Sequence, residues 1–103
     1  MREVWRSLQE FNADVVINGH DHLYERFAPL NTQGLPSPGG MRVFIVGTGG
    51  AELSPVHFIK PGSEVRASVF GVLKLTLEAD AYEWEFIATS HSGFRDAGRH
   101  PCR

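Results

Sequence analysis

The sequence predicts an α+β domain: a short N-terminal helix, a buried strand with a ligand-bearing loop, then a mostly antiparallel set of strands. Three patterns predict it. Val4, Leu8 and Phe11 recur at helical spacing near the start. Val15-Val16-Ile17 is an unbroken apolar run that stops at Asn18-Gly19. Leu73, Leu75 and Leu77, then Tyr82, Trp84 and Phe86, alternate with polar residues, as two hairpin arms with one buried face each would.

Taken in order, Val4, Leu8 and Phe11 give an amphipathic helix ending near Asn12-Ala13, and Asp14 leads into the strand Val15–Ile17. A continuous apolar strand of this kind is expected to be covered on both faces. Little else in the chain is helical, so that cover must come from elsewhere. Tyr24–Pro29 reads as a strand opening the second half, and the Gly/Pro/Ser-rich stretch Asn31–Gly40 as a loop. Met41–Val46 is a strand ended by Gly47-Thr48-Gly49-Gly50, which lacks phosphate-loop spacing and reads as a tight strand-end turn. Ala51–Ser68 shows no clean period and reads as a long loop, near a site or needing a partner. The hairpin turns around Glu78–Ala81, and residues after Ser90 read as a loosely held tail.

Composition bounds the function classes. A chain of 103 residues is one domain or a piece of one, able to bury ~60–70% of its unfolded surface. Hydrophobic content of 42% and charged content of 21% are those of a globular chain. Ten basic against twelve acidic residues leave a formal charge of −2, with no basic patch for nucleic acid or an acidic membrane surface. No apolar run approaches the ~20 residues of a membrane span, and Met1–Phe11 carries no signal-peptide pattern. The compartment is left open, because a signal could lie upstream of a fragment. The single cysteine, Cys102, reads as a free thiol near the C-terminus.

The stretch with chemical content is Val15–Phe27, VVINGHDHLYERF. An apolar strand stops at Gly19 and delivers His20 and His22 into a loop. Neutral imidazole offers one ring nitrogen to a metal and the other to an orienting hydrogen bond. Gly19 tolerates positive φ, so the backbone is expected to bend just before the histidines. Asp21, between them, reads as solvent-exposed or a supporting partner. Tyr24 and Arg26 read as strand anchors, through packing and a salt bridge with Glu25, ahead of any role as a phosphate clamp. His57, His91 and His100 lack ligand-like neighbours and read as surface residues, and Tyr82, Trp84 and Phe86 as core.

The word GHDHLYER closely resembles the GHxH metal-binding motif of the calcineurin-like metallophosphoesterases, and Tyr24-Glu25-Arg26 resembles the purple acid phosphatase branch. The resemblance continues through FIVGTGGAE (Phe44–Glu52), VFGVLKLTLEADAYEWEFI (Val69–Ile87) and FRDAG (Phe94–Gly98). It covers nearly the whole chain but only the C-terminal portion of the family's catalytic domain. Motifs of the DxH, GDxx and GNH kinds have no counterpart before His20.

That resemblance implies the C-terminal half of a four-layer α/β/β/α sandwich, with residues 1–103 as a portion whose N-terminal half is absent. It implies hydrolysis of phosphate esters at a dinuclear centre of divalent or trivalent ions (Fe, Zn or Mn). His20 and His22 each supply one ligand; Gly19, Asp21, Tyr24 and Arg26 support the motif. Such ions sit ~3.5–4 Å apart and clamp the attacking hydroxide and the phosphoryl oxygens. The remaining ligands, the extra catalytic histidine and any purple-type tyrosinate would come from upstream, so no catalytic residue is assigned here and the isolated chain is expected to be inactive. Its partners would be the missing half or a second copy, and a phosphate ester. The rival expectation is a non-catalytic module that associates with itself or another chain through an exposed sheet edge.

Overall fold

The computed structural model describes residues 2–56, 58–89 and 92–102; His57 and His91, read above as surface residues, lie outside them. Helix α1 (Arg2–Glu10) ends where Asn12 takes a left-handed φ of 58°. Ala13 N donates to Leu8 O and Asn12 N to Gln9 O, at 2.9 and 3.2 Å. That paired closure is the Schellman stop, with asparagine in the place glycine usually takes.

The chain then builds β1 (Val15–Asn18), β2 (Tyr24–Phe27), β3 (Arg42–Val46) and β4 (Ser63–Ala67) into one sheet of order β1-β3-β2-β4. β1 runs parallel to β3; the other pairings are antiparallel. A second, antiparallel sheet takes β5 (Gly71–Leu77), β6 (Ala81–Ala88) and β7 (Arg95–Pro101) in chain order. The hairpin alternation is met in register: Leu73 faces Phe86, Leu75 faces Trp84 and Leu77 faces Tyr82. Among the described residues the architecture is α+β, with one short helix and two mostly antiparallel sheets.

The sheets share an aromatic core. Tyr24 and Phe44 from the first pack with Tyr82, Trp84 and Phe86 from the second. Tyr24 lies 4.3 Å from Phe86, centroid to centroid, and Phe44 meets Trp84 edge-on at 5.7 Å. Burying each such ring contributes on the order of 2–3 kcal/mol. The alternate residues of the first sheet, Phe27, Val43, Val16 and Ile45, form a second cluster with Trp5 of α1.

Four expectations are corrected. The strand at Val15–Ile17 is not buried throughout: Val15 and Val16 are half-buried against the two clusters, whereas Ile17, on what is an edge strand among the described residues, is 51% exposed. The helix packs a half-buried Trp5 on the second cluster, while Val4 and Phe11 of the predicted stripe face outward, Phe11 at 85% exposure. The long connection Ala51–Ser68 contains β4, whose SEVRA sequence has too few apolar residues to show a period. The supposed tail after Ser90 is β7, paired along the length of β6. Its inward positions are Asp96 and Gly98, so no apolar alternation advertises it. A Cβ on Gly98 would lie 2.3 Å from the Trp84 ring, and the indole occupies that space instead.

Candidate metal centre

β1 carries the chain to Asn18, and the two histidines follow in consecutive three-residue turns. Asp21 N donates to Gly19 O and Leu23 N to Asp21 O, both at 2.9 Å, so His20 and His22 each sit at a turn centre. His20 has φ of 73°, the value of the rarer, strained kind of γ-turn. The bend therefore falls on His20 and not on Gly19, which is absent from the positive-φ residues and whose Cβ would meet nothing within 4 Å. A non-glycine residue held in that region costs free energy and persists only where its surroundings determine it.

Those surroundings come from the chain after β3. Gly47 presses against the loop: a Cβ there would sit 2.1 Å from Asp21 O, so any side chain would displace the backbone between the histidines. Gly47 N also donates to Leu23 O at 3.2 Å. The glycine-rich turn is tied to the second sheet, as buried Thr48 donates its Oγ1 proton to Gly71 O at 2.8 Å. It is a strand-end turn beside the histidine loop, as expected.

His22 is held on three sides. Its Nδ1 lies 2.6 Å from Glu52 O. A carbonyl oxygen only accepts, so Nδ1 carries the proton and the Nε2 lone pair is left for a metal. His22 N donates to Ser54 Oγ at 3.0 Å, and Ser54 N donates to His22 O at 2.8 Å. His20 and Asp21 are exposed. Asp21 also lines a cleft of about 420 Å³ with Leu23, Glu25, Ser54, Phe58 and Arg66.

Tyr24 and Arg26 point into the inter-sheet core, away from this cleft, and converge on Asp96. Tyr24 donates its phenol proton to Asp96 Oδ2 at 2.5 Å; Arg26 reaches both carboxylate oxygens, at 2.8 and 3.1 Å. Arg26 also pairs with Glu64, which joins Arg42 at 3.0 Å, and both guanidiniums lie over the Trp84 ring. The anchoring reading of Arg26 thus holds with a changed partner. Asp96 and Glu64 take the place of Glu25, which lies on the other face and accepts from Ser63 Oγ at 2.5 Å. Burial pushes the Tyr24 phenol up, reinforced by Asp96. Burial alone would raise the Asp96 carboxyl; Arg26 and Tyr24 outweigh it and hold the group below its ordinary value. Sequence reasoning missed Asp96, Glu52 and Ser54, although Asp96 and Glu52 fall within FRDAG and FIVGTGGAE.

As a donor set, two imidazoles suit Zn, Cu, Fe or Ni, and a proton fixed on His22 Nδ1 leaves Nε2 as the donor atom. No group of three or more His, Cys, Asp or Glu able to hold a metal occurs among the described residues. His100 is half-buried beside the Tyr82 ring. Among the described residues no helix is long and apolar enough to cross a membrane. Comparison with known proteins returns no match: no family model fits the chain, and no curated protein or solved structure matches it significantly.

Proposed function

We propose that residues 1–103 are the C-terminal portion of a calcineurin-like metallophosphoesterase domain, of the purple acid phosphatase kind, contributing His20 and His22 to a dinuclear metal centre. The observation that carries the reading is the Glu52 carbonyl on His22 Nδ1, at 2.6 Å, which leaves Nε2 as a donor at the end of a strand. The ions would be Fe, Zn or Mn, and when bound would activate a water for attack on a phosphate ester. Within that chemistry this chain's own part is to hold two neutral imidazoles in place. Its two sheets and helix would be half of a four-layer α/β/β/α sandwich. The free edge of β1 and the exposed side chains of Val4 and Phe11, which with half-buried Leu8 line an apolar groove of about 370 Å³, suit cover by an upstream half.

Reading the coding sequence upstream of Met1 tests the proposal. Carboxylate- and asparagine-bearing motifs of the DxH, GDxx and GNH kinds are expected there. The longer product should hydrolyse an aryl phosphate and lose that activity in His20→Ala and His22→Ala. An upstream sequence without those carboxylates overturns the reading. The exposed edge also favours a second reading, a self-associating module without chemistry. A concentration-dependent dimer with negligible metal affinity would select it.

A further inference from the structure

We propose that Ser54 is a positioning residue for the metal ligand His22, acting through the backbone it shares with Glu52; the inference rests on the metal reading above. An imidazole fixed at one nitrogen presents the other in one direction, whereas an unfixed ring rotates and exchanges tautomers. The fixing atom here is Glu52 O, 2.6 Å from His22 Nδ1. Ala51, Glu52 and Pro55 around that carbonyl are exposed, and Leu53 and Ser54 between them are half-buried. Hydrogen bonds through Ser54 hold that carbonyl. Its hydroxyl accepts from His22 N at 3.0 Å and its amide donates to His22 O at 2.8 Å, so Ser54 grips both backbone polar groups of the ligand residue. Ser68, immediately after β4, donates its hydroxyl proton to Ser54 O at 2.7 Å. A continuous path of hydrogen bonds thus runs from the end of β4 through Ser68 and Ser54 to His22. Position and ring orientation of the ligand are set by the same three-residue segment, Glu52–Ser54.

The test uses the whole chain, with Zn²⁺ as probe by calorimetry and the His22 ring nitrogens followed by ¹⁵N NMR. Wild type should show a single Nδ1–H tautomer for His22. Ser54→Ala should bind zinc about tenfold more weakly, the scale seen when a ligand's hydrogen-bonded support is removed, and should mix the tautomers with the far-UV spectrum unchanged. Ser54→Thr, which keeps the hydroxyl, should restore both. Should Ser54→Ala fail to fold, Ser68→Ala replaces it, since it leaves both bonds to His22 in place and should lose affinity in the same direction to a smaller extent. A Ser54→Ala chain with wild-type zinc affinity and a single tautomer, or a Ser68→Ala chain unchanged in both, would overturn the proposal. Absence of zinc binding in wild type would count against the metal reading instead, and the tautomer ratio would still decide the role of Ser54.

Discussion

Replacing Asp96 with asparagine removes the charge on which the inter-sheet clasp converges. The carboxylate is 8% exposed and receives three hydrogen bonds, one from Tyr24 and two from Arg26, whose side chain is 14% exposed. Charge-assisted bonds in such surroundings contribute about 1.5–3 kcal/mol each, and stranding a buried charge costs about 3–5 kcal/mol. Arg26 keeps Glu64 and the Trp84 face, so the loss falls short of the full stranding cost. About 2–4 kcal/mol is expected. At about 4–8 °C per kcal/mol for a domain of this size, the melting temperature should fall by roughly 8–32 °C. Circular dichroism during thermal and urea unfolding at pH 7 measures it. The pH dependence is a second signature. Asp96 is held below its ordinary value of 3.8, so its contribution is complete above that value and lost as pH falls through the lower folded value. Wild type should therefore lose stability more steeply than Asp96→Asn below about pH 4. The Arg99–Glu78 pair, with side chains 53% and 40% exposed, is the control, and its removal should leave the melting temperature nearly unchanged, because solvent screens an exposed pair. A Asp96→Asn cost no larger than that control would refute the clasp.

Three further outcomes follow from local geometry. Gly47→Ala places a Cβ 2.1 Å from Asp21 O, so it should destabilise by about 1–3 kcal/mol in urea unfolding and weaken zinc binding by displacing the loop. His20→Gly should stabilise the chain by about 1 kcal/mol in the same assay by releasing a side chain from φ of 73°, while abolishing one ligand; a loss of stability would contradict the turn assignment. Phe11→Ser, at a side chain 85% exposed, should change stability by less than about 0.5 kcal/mol and reduce self-association seen by light scattering.

What was legible in the sequence were elements whose residues carry their own pattern. The β5–β6 hairpin reads directly because Leu73 and Leu75 and the aromatic arm alternate, and their inward faces are found as specified, whereas Leu77, read with them, is 73% exposed at the turn end of β5. The helix stop at Asn12 and the strand at Arg42–Val46 were equally local. β4 was hidden because SEVRA has too few apolar residues to show a period, and β7 because its inward positions are filled by partners. Gly98 gives its space to Trp84, and Asp96 is an inward charge made tolerable only by Tyr24 and Arg26, some 70 residues earlier in the chain. The outward turn of Val4 and Phe11 shows the same limit, since periodicity defines an apolar stripe without saying what it meets. At the candidate site, the histidines were visible as a word. Their support was not, because Glu52 acts through a backbone carbonyl and Ser54 as much through its amide as its hydroxyl.

The most direct test of the central claim, that His20 and His22 are metal donors, is a zinc titration of wild type, His20→Ala and His22→Ala, with ¹⁵N NMR reporting the ring nitrogens. The account predicts saturable binding that shifts His22 Nε2 and not Nδ1, and that is weakened in both variants. Binding that is unchanged by either substitution, or zinc that shifts neither histidine in wild type, would contradict it.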